Sequence, residues 1–262
     1  MSKIVSKVKS KLVLITGASS GFGRAIAIEL SKAGYDLILL ARRKQKLLEL
    51  AEQLSGEANC KVHCLVADVN QRQELALKLA ELPSDFQDID VLINNAGLAL
   101  GMSGAAQSDW QDWQTMIETN CMGLAFITRQ LLPKMVERNV GQIINVGSTA
   151  GLYAYKGGNV YGATKAFVDQ FSAGLRSDLL GTNVRVTNII PGLVGGTEFS
   201  DVRFHGDEQK AQDVYKGYQA LSAEDIARSV QWVIEQPEHM NVNRLELTPT
   251  CQASGGLVVH KS

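Results

Sequence analysis

The sequence predicts an α/β domain built on one doubly wound parallel sheet of about seven strands, with helices on both faces. Three observations carry this prediction: apolar runs alternate with helical patterns, several runs are apolar nearly throughout, and the first run leads directly into a glycine-rich turn. Strands that helices cover on both faces lack the alternation of polar and apolar residues that a solvated face produces. Alternating strands and helices favour a parallel sheet.

Seven apolar segments are predicted to form the strands. They are Leu12–Thr16, Leu37–Ala41, Val62–Val66, Val91–Asn94, Ile143–Gly147, Val184–Ile190 and Leu245–Leu247. Three of the helices between them are predicted at Gly23–Ala33, Asp109–Arg138 and Asn159–Leu180. Gly34 is placed to end the first of these helices, and Pro133 is expected to bend or break the second.

The segment of residues 192–220 interrupts this alternation just after the sixth strand. It lacks a long apolar run and is rich in glycine, charge and aromatic side chains. An insertion of this kind in a compact domain is usually functional, which predicts a lid over the substrate. Residues 1–10 are basic and serine-rich and are expected to be a loose extension, so the domain is predicted to cover residues 11–262.

The composition argues against several classes of function. The chain has 262 residues, 45% of them hydrophobic, and a net charge of −1, so it has no basic field for nucleic acid. No apolar run approaches the roughly 18 residues that predict a membrane-spanning helix. Cys60, Cys64, Cys121 and Cys251 fit no zinc spacing, so we expect no metal and buried free thiols, with Cys60 and Cys64 on one strand face. Without a secretory signal, a cytoplasmic location is the simplest expectation.

The glycine-rich turn after the first strand reads Thr-Gly-Ala-Ser-Ser-Gly-Phe-Gly and ends at the start of a helix. Glycines permit a close backbone approach, and the helix N-terminus offers free N–H groups to a pyrophosphate. The alternative is an ordinary turn between a strand and a helix, and the missing Gly-Lys-Ser/Thr ending argues against a P-loop. The predicted cofactor contacts here are Gly17, Ser19, Ser20, Gly21, Phe22 and Gly23.

The end of the second strand indicates which dinucleotide binds. NAD enzymes usually place an acid there for the ribose 2′-hydroxyl, whereas this chain has Arg42 and Arg43. A guanidinium binds a 2′-phosphate through paired hydrogen bonds, which favours NADP over the alternative of a solvated basic turn. After the third strand, Asp68 is predicted either to cap a helix or to contact adenine, beside Val69.

Ser148, Tyr161 and Lys165 form the most informative pattern in the chain. Tyr161 and Lys165 are four residues apart, so on a helix they share a face, and an ammonium near a phenol lowers its pKa. A serine from another element can bind the same substrate oxygen. The alternatives are a surface tyrosine–lysine pair and a serine that caps a turn, but together the three groups can move a proton on or off an alcohol.

In these motifs the chain resembles the short-chain dehydrogenase/reductase family. The resemblance covers Lys11 to Pro249 and rests on residues 16–23, 94–97, 120, 148, 161–165 and 191–192 in the family's order and spacing. It implies a Rossmann-like fold, Tyr161 as acid/base, Lys165 holding the nicotinamide ribose, Ser148 orienting the substrate oxygen and Asn120 supporting Lys165 through water. The alternative for Asn120 is a polar residue satisfied inside a helix.

The same resemblance implies further cofactor contacts and an assembly. The implied contacts are Asn94, Ala96, Gly97, Pro191, Gly192, Val194 and Thr197. The implied assembly is a homotetramer, to which the apolar tail Gly255–His260 is a candidate contributor.

A narrower resemblance links the chain to the bacterial NADP-dependent 3-hydroxy acid dehydrogenases, the group that includes serine 3-dehydrogenase and L-allo-threonine dehydrogenase. It rests on residues 94–102, 157–167 and 191–204. It implies oxidation of the 3-hydroxyl of a short acid or hydroxy amino acid, or the reverse reduction. A carboxylated substrate needs a cation, for which Arg203 is the candidate, with a solvent-exposed arginine as the alternative. Tyr155 either lines the substrate pocket or simply packs.

Two other functions remain open at this point. One is an NADPH-dependent carbonyl reductase of uncharged ketones or ketoacyl substrates, and the other is a non-catalytic module that senses NADP. The intact trio of Ser148, Tyr161 and Lys165 favours an enzyme.

Overall fold

In the computed structural model, which describes residues 11–253, seven parallel strands form one sheet. They are β1 (Leu12–Thr16), β2 (Asp36–Ala41), β3 (Val62–Val66), β4 (Val91–Asn94), β5 (Gly141–Val146), β6 (Val184–Pro191) and β7 (Arg244–Leu247). Their order across the sheet is β3-β2-β1-β4-β5-β6-β7, and every neighbouring pair is parallel. The doubly wound sheet is therefore confirmed. The predicted extension of residues 1–10 and the tail Gly255–His260 lie outside the described residues.

Nine α-helices accompany the strands in residues 11–253. They are α1 (Gly21–Lys32), α2 (Lys44–Glu57), α3 (Arg72–Ala80), α4 (Trp110–Ile117), α5 (Leu124–Glu137), α6 (Asn159–Asp178), α7 (Phe199–Arg203), α8 (Glu208–Asp213) and α9 (Ala223–Glu235). The end of α1 is the predicted one. Gly34 has a φ of +83°, its N–H donates to Ser31 O over 2.9 Å, and Tyr35 N–H donates to Leu30 O over 3.1 Å, which together close a left-handed cap.

The helix predicted from Asp109 to Arg138 is interrupted, but not at the predicted place. A π-helical segment, Glu118–Gly123, separates α4 from α5. Pro133 lies inside α5 without ending it. A break at Pro133 was therefore wrong, whereas a bend there stays a prediction, and the interruption surrounds Asn120. Single π-helical turns of this kind are frequent at functional sites.

Side chains on the two faces of the sheet enter two separate cores. On β1, Val13 and Ile15 pack against α1 and α9, whereas Leu14 points to the opposite face, where α5 and α6 lie. All three side chains are fully buried. Burial of both faces explains why the strands are apolar nearly throughout, since each such side chain contributes about 1.5–3 kcal/mol.

The segment of residues 192–220 folds into two short helices, α7 and α8, that the sequence analysis did not predict. Its ends are held together, because Val194 and Leu221 form an isolated parallel bridge and Gly195 N–H donates to Leu221 O over 2.9 Å. A hydrogen bond of 2.9 Å from Gly101 N–H to Arg203 O ties it to the loop after β4. Its role as a lid stays a prediction.

The four cysteines are free thiols, but they are not all buried. Cys121 is buried, whereas Cys60, Cys64 and Cys251 are partly exposed. Cys60 precedes β3, so the prediction that Cys60 and Cys64 share one strand face was wrong. Within residues 11–253, no helix has the length and apolar character to cross a membrane.

Candidate active site

One cleft runs along the carboxyl ends of the central strands, where the strand order reverses between β1 and β4. Ligands of open α/β sheets bind at this switch point. Most of the predicted cofactor residues line it. They are Gly17, Ser19, Ser20, Gly21, Phe22, Arg42, Arg43, Asp68, Val69, Ala96, Gly97, Tyr161, Lys165 and Thr197.

The glycine-rich turn is shaped for close backbone approach. Gly17 has a φ of +67°, and a Cβ added there would lie 2.9 Å from Asn95 Nδ2. A Cβ on Gly23 would lie 2.4 Å from Gly17 O, so Gly23 supports the turn from below. The Thr16 hydroxyl accepts hydrogen bonds from the N–H groups of Asn95, over 3.0 Å, and Ala96, over 2.9 Å. These contacts leave a backbone cradle that fits a dinucleotide pyrophosphate.

Several predicted cofactor contacts lie behind the cleft instead of in its lining. Asn94 is buried, and its Nδ2 donates to Thr128 Oγ1 over 2.9 Å and to Asn145 Oδ1 over 2.8 Å. Pro191 ends the buried strand β6, and a Cβ on Gly192 would lie 2.3 Å from Gln252 Oε1. These residues, like Gly23 and Val194, lie outside the lining of the cleft.

The trio from the sequence analysis comes together in the structure. Ser148 follows β5 and caps a 3₁₀ turn, since its Oγ accepts from Ala150 N–H over 3.1 Å. Its side chain also lies close enough to Tyr161 to lower the pKa of that phenol. Tyr161 lies in the first turn of α6 and is only 8% exposed. Lys165, 7% exposed, donates to Val146 O over 2.8 Å. The alternative of a surface tyrosine–lysine pair was therefore wrong.

Burial dominates the protonation of this trio. It raises the pKa of Tyr161 to about 12, against the lowering effects of the Ser148 hydrogen bond and the Arg203 charge. Burial also lowers the pKa of Lys165 to about 8. The Lys165 ammonium lies 5.8 Å from the centroid of the Tyr161 ring. The sequence analysis expected Lys165 to lower the pKa of Tyr161, and in this arrangement burial outweighs any such effect.

Asn120, in the π-helical segment, is held by protein groups on both sides. Its Oδ1 accepts from Leu98 N–H over 2.9 Å, and its Nδ2 donates to Leu98 O over 2.8 Å and to Thr164 Oγ1 over 3.0 Å. Asn120 therefore links the loop after β4 to the helix that carries Tyr161 and Lys165. Its predicted water relay to Lys165 stays a prediction.

The two arginines after β2 differ in their surroundings. Arg43 donates from Nε to Ser19 Oγ over 3.1 Å and from Nη2 to Ser20 Oγ over 2.5 Å. The Arg42 side chain is 70% exposed, with a distance of 3.6 Å to the Asp68 carboxylate. Both side chains are exposed, but the hydrogen bonds to Ser19 and Ser20 fix Arg43 against the glycine-rich turn, so the alternative of a solvated basic residue describes Arg42 better.

Asp68 lines the cleft but caps a turn and not a helix. Its Oδ1 accepts from Asn70 N–H over 2.9 Å, whereas α3 has Gln71 at its N-cap. The helix-cap alternative for Asp68 was therefore wrong.

The segment of residues 192–220 brings aromatic and charged groups to the trio. The Phe199 and Tyr161 ring centroids lie 5.9 Å apart. The Arg203 guanidinium carbon lies 5.7 Å from the Tyr161 ring centroid, and Nη2 donates to the Tyr155 phenol oxygen over 2.7 Å. Because Arg203 is partly buried, the alternative of a solvent-exposed arginine was wrong.

Sequence reasoning missed Glu198 and Lys46. The Glu198 carboxylate accepts from Arg43 Nη1 over 2.7 Å and from Lys46 Nζ over 2.6 Å. These hydrogen bonds and charges hold the pKa of Glu198 at about 2, with the Lys46 hydrogen bond the largest cause. No local spacing signals a contact between residues 152 positions apart.

Comparisons with known proteins agree with this geometry. A family model described as short chain dehydrogenase matches residues 11–208. The chain is 51% identical over 250 residues to an NADP-dependent 3-hydroxy acid dehydrogenase of Escherichia coli strain K12, covering 95% of this chain and 99% of that protein. It is 47% identical over 252 residues to a serine 3-dehydrogenase of Rhizobium radiobacter, covering 96% of this chain and 99% of that protein.

A solved structure resembles the chain closely. The closed form of a serine dehydrogenase complexed with NADP⁺ superposes with a TM-score of 0.89 at 52% identity, covering 96% of this chain and 100% of that one. A cleft fitted to a dinucleotide, the buried Tyr161 and Lys165 in its lining and relatives of nearly equal length support one conclusion. The chain belongs to the short chain dehydrogenase family and is an NADP-dependent oxidoreductase.

Proposed function

We propose that the enzyme transfers a hydride between NADP and the 3-hydroxyl carbon of a short 3-hydroxy acid or hydroxy amino acid, of the serine, L-allo-threonine or 3-hydroxypropionate type. The reverse reaction reduces the corresponding semialdehyde or ketone. The observation that carries this proposal is Arg203, a partly buried cation 5.7 Å from the Tyr161 ring centroid. The names of the relatives support the same substrate class.

Arg203 suits a substrate carboxylate. A guanidinium has five N–H donors in a planar fork that matches a carboxylate. Nε contacts Gly101 O over 3.3 Å and Nη2 contacts Tyr155 over 2.7 Å, so the group is fixed by the protein while other donors remain for a ligand. Tyr155 thereby orients the arginine.

Tyr161 is the proposed acid and base. When bound, NADP⁺ accepts the hydride from the carbinol carbon. During reduction, Tyr161 gives its phenol proton to the carbonyl oxygen, and its pKa of about 12 keeps it in the required neutral form. Oxidation uses the Tyr161 phenolate as the base, so the rate of oxidation should increase as the pH rises. Such proton transfer typically contributes about 10²–10⁴-fold.

Ser148 and Lys165 assist the transfer in this proposal. Ser148 lowers the pKa of Tyr161 and can bind the same substrate oxygen. With a pKa of about 8, Lys165 is mostly an ammonium near pH 7, which holds the nicotinamide ribose. Asn120 fixes the start of α6 through Thr164.

The test is to incubate the purified enzyme with L-allo-threonine, L-serine or 3-hydroxypropionate, each with NADP⁺ or NAD⁺, and to follow reduced-nicotinamide absorbance. We expect reduction of NADP⁺ by at least one of the acids. Propan-2-ol with NADP⁺ and simple ketones with NADPH serve as uncharged comparison substrates. Turnover confined to them would identify the carbonyl reductase instead, and absence of turnover with firm NADPH binding would favour the sensing module.

We propose that the enzyme is a homotetramer in which α5 and α6 form interfaces. These helices expose apolar side chains: Phe167 is 40% exposed and stacks on Phe171 with ring centroids 5.6 Å apart. Met122, beside α5, is also exposed. Sedimentation equilibrium tests the assembly, and a mass that stays monomeric at micromolar concentration would contradict it.

A further inference from the structure

Glu198 holds two cations at once, at a place where the cofactor also needs cations. Its two carboxylate oxygens accept from Arg43 Nη1 over 2.7 Å and from Lys46 Nζ over 2.6 Å. The same arginine donates to Ser19 and Ser20 of the glycine-rich turn. The carboxylate therefore reaches the cations of the β2–α2 junction from the segment of residues 192–220.

This junction is where the adenosine ribose of a dinucleotide lies. The end of the second strand is the position at which such folds distinguish a 2′-hydroxyl from a 2′-phosphate. A side cavity that includes Lys46 and Arg24 shares Ser20, Thr197 and Glu198 with the cofactor cleft. Lys46 thus lines a cavity that adjoins the cleft lined by Arg43.

A carboxylate and a phosphate monoester are equivalent kinds of ligand for an arginine fork and a lysine ammonium. We propose that Glu198 determines cofactor specificity by competing with the 2′-phosphate of NADP for Arg43 and Lys46, and that Lys46 is a second cation of the 2′-phosphate site. A phosphate monoester carries about −1.5 to −2 charges near neutral pH, so it displaces a carboxylate that a 2′-hydroxyl leaves in place.

The exposure of these groups makes the exchange reversible. The side chains of Arg43, Lys46 and Glu198 are 43%, 46% and 42% exposed, and ion pairs at this exposure are individually weak. The Glu198 carboxylate nevertheless stays ionised throughout the neutral range, since its pKa is about 2. It is therefore always present as the competing anion.

The exchange also reaches the substrate side of the cleft. Glu198 immediately precedes α7, which carries Phe199 and Arg203 against Tyr161. Loss of the Glu198 ion pairs frees the start of α7, so binding of the 2′-phosphate and the position of Arg203 become linked. By thermodynamic reciprocity, a ligand on Arg203 would change the affinity for NADP by the same factor.

The test compares two ligands that differ only in the 2′-phosphate, adenosine 2′,5′-bisphosphate and adenosine 5′-monophosphate, by isothermal titration calorimetry. Glu198→Gln should lower the dissociation constant of the bisphosphate about fivefold, in keeping with a weak exposed ion pair. It should leave the dissociation constant of the monophosphate unchanged. Lys46→Met should weaken binding of the bisphosphate and leave binding of the monophosphate unchanged. Glu208→Gln is the matched control, because it removes the same charge from the same segment, and both affinities should stay as in the wild type.

Three results would contradict the proposed competition between Glu198 and the 2′-phosphate. They are no change for Glu198→Gln, an equal change for both ligands, or weaker binding of the bisphosphate, which would mean that Glu198 supports the site. An unchanged bisphosphate affinity in Lys46→Met would remove Lys46 from the phosphate site. The Glu198→Gln effect should also shrink as salt is raised, since mobile ions screen exposed charges. Thermal unfolding of each variant establishes that it is folded.

Discussion

Arg203 donates a hydrogen bond of 2.7 Å to the phenol oxygen of Tyr155. This bond joins the segment of residues 192–220 to the loop that follows β5, and it holds the guanidinium carbon 5.7 Å from the Tyr161 ring centroid. A cation that the fold orients in this way is pre-organised for an anionic substrate, because little side-chain freedom remains to be lost on binding.

Replacement of Arg203 by methionine should selectively impair carboxylated substrates. A hydrogen bond to a charged group contributes about 1.5–3 kcal/mol, so kcat/KM for 3-hydroxy acids should fall about 10- to 150-fold, while uncharged alcohols change little. Tyr155→Phe removes only the bond that orients Arg203 and should have a smaller effect. Steady-state kinetics on both substrate classes checks this, and an equal loss on both classes would argue against a carboxylate anchor.

Tyr161→Phe should lower kcat by about 10²–10⁴-fold, the usual contribution of general acid–base catalysis. The ring that packs on Phe199 is kept, so the cleft should remain intact. The NADPH dissociation constant, measured by fluorescence titration, should stay within about threefold of the wild-type value. Normal turnover would exclude Tyr161 as the acid/base.

Lys165 should make the free enzyme more stable as the pH rises above about 8. Its folded-state pKa is lowered from 10.5 to about 8, so the unfolded chain binds more protons across that range and the free energy of unfolding rises with pH. Near pH 7 the buried charge costs on the order of 3 kcal/mol.

Lys165→Met should therefore be inactive yet more stable than the wild type at pH 7, with the difference shrinking towards pH 10. Urea unfolding of both proteins at several pH values measures this. Above about pH 10 the stability of both proteins should fall with pH, because Tyr161, with its raised pKa, retains its proton in the folded state there. A constant difference across the range would contradict a buried ammonium.

Arg43→Ala should weaken the binding of NADP⁺ more than Arg42→Ala does. Arg43 contacts both serines of the glycine-rich turn, whereas Arg42 is largely exposed. We expect a loss of roughly 10- to 100-fold for the first variant and less than about fivefold for the second. Neither should change NAD⁺ affinity by a similar factor, and equilibrium binding of both cofactors separates the outcomes.

Two glycine-to-alanine changes should have opposite effects on stability. A Cβ at Gly23 meets Gly17 O at 2.4 Å, whereas a Cβ at Gly174, inside α6, meets nothing within 4 Å. Gly23→Ala should be destabilised by overpacking, by about 1–3 kcal/mol, and should bind NADPH poorly. Gly174→Ala should gain about 0.5–1 kcal/mol from helix propensity. Thermal unfolding with and without NADPH tests both.

The sequence allowed the trio and the glycine-rich turn to be predicted because their residues follow strands. Parallel strands bring their carboxyl ends to one edge of the sheet, so residues far apart in sequence, such as Thr16, Asn95 and Ser148, meet there. The direction of the Asn94 side chain could not be predicted, because an amide at a strand end fits both the cleft and the interior. Its side chain found Thr128 and Asn145 on the inner side.

Other features carried no local signal. Pro133 stays within α5 because it lies on the exposed side of the helix, as does Arg129, whose carbonyl oxygen loses its usual partner there. Water can replace that bond, and so the helix continues. The π-helical turn around Asn120 needs only a one-residue change in hydrogen-bond spacing, which composition does not reveal. The pKa of Tyr161 depends on burial, which only the folded structure supplies.

The strand order also has a consequence for biosynthesis. Every strand made after β3 joins a strand that already exists: β4 joins β1, and β5, β6 and β7 then extend the same edge in turn. No later strand has to be inserted between two paired ones, so the sheet can grow in step with translation. Until Val91–Asn94 leaves the ribosome, one edge of β1 has no partner, and such an unpaired edge is open to pairing with another chain. Glu198 and Arg203 emerge only after β6, so cofactor selection and substrate recognition are acquired last.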